Sequence, residues 1–133
     1  MREPMKVLLP AVDRAAIADA FADAQRLVVV SFCAAWCDTC NEFRAGYERL
    51  ASRRPHAAFV WIDIEDDAEW AGDIDVENFP KLAVYRGATP LHFGVSLPHE
   101  NVIGRLIDAL AEQPAASSVG EAVQALPRRL SKG

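Results

Sequence analysis

A chain of 133 residues with 51% hydrophobic content is long enough to build one packed core without metal or disulfide staples. Nineteen acidic against fourteen basic side chains leave a formal charge of −5, which sets aside a nucleic acid partner, because phosphate neutralisation needs a basic face. No apolar run reaches the ~20 residues that cross a bilayer, and the stretch after Met1–Lys6 is broken by Pro10 and Asp13 before it could serve as an export signal. The expectation is a monomeric, cytoplasmic α/β domain.

In chain order, Val7-Leu8-Leu9 reads as a short strand, and Asp13 as the N-cap of a helix with Ile17, Ala20, Phe21 and Ala24 on one face. Leu27-Val28-Val29-Val30-Ser31-Phe32 is a continuous β-branched run, the pattern of a strand buried on both faces of a sheet. The chain then turns through Ala34-Ala35-Trp36 into a helix carrying Phe43, Tyr47 and Leu50 on one side. Ala57 to Ile64 is a second buried strand, reached by a crossover of the length a parallel connection needs. An acidic stretch over 65–79 allows one or two helical turns around Ala68 to Gly72 and ends in a turn at Asn78-Phe79-Pro80. Lys81–Arg86 and Leu91–Val95 read as a hairpin, and Ser96–Leu110 as a helix with Val102, Ile103, Leu106, Ile107 and Leu110 on one side. Residues 1–113 therefore form the domain. The remainder, 114–133, reads as a loosely packed extension, with a short amphipathic helix through Val119, Ala122, Val123 and Leu126 as the alternative.

The chemistry concentrates in one place. All three cysteines lie between positions 33 and 40, too close together for a structural disulfide framework. Cys37 opens a helix, where unpaired backbone N–H groups and the positive helix end favour a thiolate, so Cys37 is the candidate nucleophile. Cys40, one turn further in, is placed to attack a mixed disulfide on Cys37 and is the candidate resolving thiol. Cys33, Cys37 and Cys40 also spell the C-x3-C-x2-C spacing of iron–sulfur enzymes that use S-adenosylmethionine, but Cys33 falls within a strand; a zinc site would want a fourth ligand, and no His or Cys lies at a near spacing. No metal or cofactor is expected, and His56, His92 and His99 are scattered without ligand spacing.

The segment Val28-Val29-Val30-Ser31-Phe32-Cys33-Ala34-Ala35-Trp36-Cys37-Asp38-Thr39-Cys40 resembles the strand, Trp and active-site signature of the thioredoxin family. Downstream, Val76-Glu77-Asn78-Phe79-Pro80 stands where that family places its cis-proline, and Gly87 and Gly94 fit its hairpin and approach to the last helix. The resemblance runs over roughly residues 5–112. It implies a thioredoxin-like fold, a central mixed sheet of about four to five strands with helices on both faces. It also implies a thiol-disulfide oxidoreductase acting on protein disulfides, with a redox-active Cys37–Cys40 disulfide in place of a cofactor and a thioredoxin reductase or similar protein as electron donor. Pro80 would be cis and lie against the dithiol, and Trp36, Phe79 and Pro80 would contact the substrate.

Several residues depart from the family pattern. Ser31 stands where the family carries a buried Asp that helps deprotonate the resolving cysteine, and Trp61 where it often carries the accompanying Lys. Losing both avoids stranding a buried charge, and slower turnover is expected. Cys33 replaces a second Trp. It reads as a small buried hydrophobe on the same side of the strand as Ser31, with a third redox thiol as the alternative. Asp38-Thr39 replaces Gly-Pro. The negative charge of Asp38 beside Cys37 disfavours the dithiolate and so argues for a reductant. Asp38→Asn is expected to make the protein more oxidising, which equilibration against glutathione buffers measures. The acids between positions 63 and 77 read as a solvated face, or as a selector of basic partners. A thioredoxin fold retained only as a non-catalytic interaction module is the competing function.

Overall fold

The computed structural model describes residues 7–34, 37–71, 81–95, 99–112 and 121–131. Its elements are α1 (Arg14–Ala22), β1 (Leu27–Cys33), α2 (Asp38–Arg53), β2 (Ala58–Asp63), α3 (Ala68–Ala71), β3 (Lys81–Arg86), β4 (Thr89–Val95), α4 (Glu100–Ala111) and α5 (Glu121–Ser131). The strands form one sheet in the order β2-β1-β3-β4. β1 pairs in parallel with β2, bringing Ser31 opposite Trp61, and antiparallel with β3. β3 and β4 form the expected hairpin. Flanked on both edges and covered on both faces, β1 is buried along its whole length, which is why its sequence is apolar at every position but Ser31.

Strand alternation divides the core in two. Val29, Cys33, Phe59, Trp61, Leu82 and Val84 face Phe43, Tyr47 and Leu50 of α2 and Ile103, Ile107 and Leu110 of α4. Val28, Val30, Phe32, Val60, Ala83 and Tyr85 face Ile17, Ala20 and Phe21 of α1 and Val123, Leu126 and Leu130 of α5. Within the C-terminal extension, residues 121–131 are a packed helix, the alternative reading of that segment, and the loosely packed reading does not hold for them. Short isolated helices are marginal in water, but this one buries its apolar stripe against α1 and the sheet. Pro127 lies inside α5 and has no N–H to give the carbonyl of Val123, four residues back. That carbonyl instead accepts the buried Tyr85 hydroxyl at 2.7 Å. The Arg14 side chain donates to the Leu130 carbonyl near the end of the same helix.

The first strand shrinks to a single bridge. Leu8 donates to the Phe59 carbonyl and accepts from Trp61 N–H, giving one parallel bridge to Val60. Pairing stops there because the next donor facing β2 would belong to residue 10, a proline without an N–H, where the chain turns; the Leu9 N–H, on the outer edge, donates to the Asp13 carboxylate. The same bond explains why Asp13, at the N-cap position of α1, caps no N–H of the helix with its side chain. In the hairpin turn Gly87 has φ +57°, and a Cβ there would come within 2.9 Å of the Ala24 and Asp23 backbone, so glycine is required.

Tyr47 ties α2 to the sheet. Its fully buried hydroxyl is 2.8 Å from the Val60 carbonyl and 3.0 Å from that of Val29, and its ring packs edge-on against Phe59 and Trp61. Burial pushes the phenol well above its ordinary range, so it stays a neutral donor. Tyr47→Phe keeps the ring and strips both carbonyls of this contact. The expected loss is about 1–3 kcal/mol, measured by urea denaturation.

His92 in β4 is half-buried, and its Nε2 has no hydrogen-bond partner among the described residues. Burial lowers its pKa, so the folded state binds this proton less readily than the unfolded chain. Its contribution to stability is therefore present above the unfolded value of about 6.5 and is lost as pH falls below that value and through the lowered folded one. His92→Gln is expected to narrow the difference in melting temperature between neutral and mildly acidic buffer.

Candidate active site

β1 ends and α2 begins within a few residues, and the three cysteines occupy that junction. Cys33 is the last residue of β1, its side chain on the face that α2 covers. The Cys37 N–H donates to the Ala34 carbonyl, and Cys37 takes the N-cap position of α2, its carbonyl accepting from Asn41. Cys40 lies in the first turn of α2 and is completely buried.

The disulfide links Cys33 to Cys40, with Cα atoms 5.9 Å apart, and Cys37 is a free thiol of intermediate exposure. That separation lies within the span a disulfide bridges without backbone movement. The expected Cys37–Cys40 bond is thus replaced in this structure by Cys33–Cys40. Both bridged sulfurs belong to the core cluster between the sheet and α2, while Cys37 packs at its edge.

Ser31 is fully buried on the same face, and its hydroxyl lies 3.8 Å from the Cys33 sulfur. A disulfide sulfur carries no hydrogen, so the serine is the donor in this weak contact. Trp61 stands beside Ser31 in the strand register, 8% exposed, against the rings of Phe43 and Tyr47, with the Arg44 guanidinium 4.7 Å above its ring. No ionisable side chain occupies either position. Asp38 and Thr39 are exposed on the first turn of α2. Trp36, Phe79 and Pro80, including the expected cis peptide, lie outside the described residues.

Of the acidic stretch, the part that is described shapes the turn after β2. The Asp63 carboxylate accepts from the Glu65 and Asp66 N–H groups, and that of Asp67 from the Asp63 N–H. Desolvation, with Asp63, Asp66 and Glu69 nearby, raises the Asp67 pKa. Among the described residues no group of three or more His, Cys, Asp or Glu is placed to hold a metal ion.

Sequence reasoning missed the Cys33–Cys40 pairing. Alternation already put Cys33 on the side of Ser31, and the apolar stripe of α2 had to cover one face of β1. Combining the two would have brought the strand's last inward residue against the helix's first inward residue.

A family model described as Thioredoxin matches residues 10–105. Thioredoxin-2 of Saccharomyces cerevisiae is 34% identical over 68 residues, covering 51% of this chain and 65% of that protein. The chain spans about 55–65% of the length of the curated relatives it matches first. In structure, a point-mutant thioredoxin from Halobacterium salinarum superimposes with a TM-score of 0.68 at 23% identity, over 86% of this chain and 99% of that one. A chain from a complex of ferredoxin:thioredoxin reductase with thioredoxin f2 superimposes with a TM-score of 0.65 at 16% identity, over 78% and 94%. Among the described residues no helix is long and apolar enough to cross a membrane.

Proposed function

The chain belongs to the thioredoxin family, and from that premise we propose that it is a thiol-disulfide oxidoreductase that reduces protein disulfides. Cys37 is the nucleophile and Cys40 the resolving thiol. The observation that carries this reading is the free, partly exposed thiol of Cys37 at the start of α2, one turn from a buried Cys40 that already takes part in a disulfide.

The Cys37 thiolate attacks one sulfur of a client disulfide. A Cys37–client bond forms, the client S–S bond breaks, and the displaced client sulfur leaves as a thiolate and takes up a proton. Cys40, deprotonated, then attacks the Cys37 sulfur, and the second client sulfur leaves. The client gains two electrons and two protons, and the Cys37/Cys40 pair loses them. Trp36, Phe79 and Pro80 are assigned to contact the client as the family resemblance implies, and Asp38 and Thr39 border the attacking sulfur. With Ser31 and Trp61 in place of an ionisable pair, the deprotonation of Cys40 lacks a carboxylate acceptor, which makes resolution the slow step. The electron donor is a thioredoxin reductase or a similar dithiol protein; a structural neighbour in complex with such a reductase supports this assignment. The compartment is the cytoplasm, in keeping with three cysteines confined to one redox-active segment.

Insulin reduction with dithiothreitol as electron donor tests the proposal. The wild-type chain is expected to speed precipitation of the insulin B chain above the dithiothreitol background, and Cys37→Ser to return it to background. A wild type no faster than background would leave a fold retained for interaction alone.

A further inference from the structure

Resting on the exchange chemistry above, we propose that Cys33 is a third exchange thiol, and that the Cys40 sulfur passes between Cys37 and Cys33 in a three-cysteine relay. Three observations converge on it. Cys40 is bonded to Cys33, not to the neighbour in its own motif. Cys33 and Cys40 are 1% and 0% exposed, so this disulfide is sealed in the core, whereas the remaining thiol, Cys37, reaches the surface. Against the buried pair stands the Ser31 hydroxyl, 3.8 Å from the Cys33 sulfur, which can hydrogen-bond that sulfur when it carries the negative charge.

The relay conserves electrons. After a client has been reduced, the chain holds a Cys37–Cys40 disulfide and a Cys33 thiol. Deprotonated Cys33 attacks the Cys40 sulfur, the Cys33–Cys40 bond forms, the Cys37–Cys40 bond breaks, and Cys37 leaves as a thiolate and takes the proton that Cys33 gave up. Burial decides the direction, because an apolar disulfide is at home in the core while a free sulfur at Cys37 keeps its access to water. The reverse step opens the store. Cys37 attacks Cys40, Cys33 is released beside Ser31, and an external dithiol then reduces the Cys37–Cys40 bond by attack at its accessible Cys37 sulfur, its own two sulfurs becoming a disulfide. The oxidised protein therefore keeps a client-reactive thiol on its surface and hides its disulfide from solvent reductants.

The tryptic fragment Leu27–Arg44 carries all three cysteines and no internal cleavage site, so one fragment reports the pairing. The full chain is reduced, oxidised with glutathione disulfide, quenched in acid and denatured. Free thiols are blocked with N-ethylmaleimide, the disulfide is reduced, the new thiols are capped with iodoacetamide, and fragmentation locates each label. Maleimide on Cys37 in the fully oxidised wild type, and its loss from the oxidised Cys33→Ala variant, are expected. Maleimide on Cys33 alone, with insulin turnover intact, overturns the relay and leaves the oxidoreductase reading standing. Three maleimides on glutathione-treated protein, with no insulin turnover, would overturn both.

A second measurement separates a relay from a static bridge. Native reduction of the Cys33–Cys40 bond by dithiothreitol is expected to be much slower in Cys37→Ser than in the wild type, because the sulfur that opens the buried bond is gone. Equal rates overturn the exchange.

Discussion

Ending the chain after residue 112 is expected to lower the melting temperature by roughly 10–25 °C and to expose a surface that binds a hydrophobic dye. Val123, Leu126 and Leu130 are at most 3% exposed, and each buries apolar area worth about 1.5–3 kcal/mol. Truncation strips this contact from α1 and the sheet, and the expected loss is about 3–5 kcal/mol of domain stability. Against a total stability of about 5–15 kcal/mol, this takes the domain close to its unfolding threshold. The loss is amplified on the other side of the contact, because Ile17, Phe21 and Tyr85 are uncovered together. Leu126→Ala, which opens a cavity without removing the helix, is expected to cost about 2–5 kcal/mol by itself. An unchanged melting temperature for the truncated chain would mean that α5 does not dock on this sheet in solution.

The second large effect is on chemistry. Cys40→Ser removes the sulfur that both proposed pairings share, so neither Cys33 nor Cys37 has a disulfide partner left within the exchange scheme. Insulin turnover is expected to fall by roughly a hundredfold or more, because the mixed disulfide on Cys37 has lost its resolving thiol. A covalent client–protein adduct, visible on a non-reducing gel and released by dithiothreitol, should accumulate in its place. Cys33→Ala should behave differently, keeping the Cys37/Cys40 pair and some turnover while losing the buried storage bond. If Cys40→Ser turns over like the wild type, Cys37 works without a resolving partner in this chain and the assigned role of Cys40 fails.

Much of the fold could be read from residue patterns, because burial leaves its mark on sequence. The unbroken run from Leu27 to Phe32 predicted a central strand, and β1 is buried at every position. Phe43, Tyr47 and Leu50 predicted the inner face of α2, and all three are in the core. Local patterns misled where a distant partner decided the outcome. Val7-Leu8-Leu9 has the composition of a strand but keeps one bridge, since Pro10 has no N–H to continue the ladder. The segment after residue 120 is rich in helix formers but short and interrupted by Pro127, and what orders it is the face that α1 and the sheet leave open for it. The same limit applies at the site. The Trp36-Cys37-x-x-Cys40 spacing carried the family resemblance, yet the bond to Cys33 depends on which faces of β1 and α2 meet, a tertiary fact that spacing along the chain does not encode.

The proline in α5 also fixes where that helix sits. A regular amphipathic helix can slide by a turn along an apolar sheet at little cost, since one aliphatic contact substitutes for another. Here the carbonyl that Pro127 leaves without a helical donor meets one phenol, and any axial shift or rotation would leave both polar groups unsatisfied in a dry interface. A residue that weakens the helix as a helix thereby gives it a single address on the sheet.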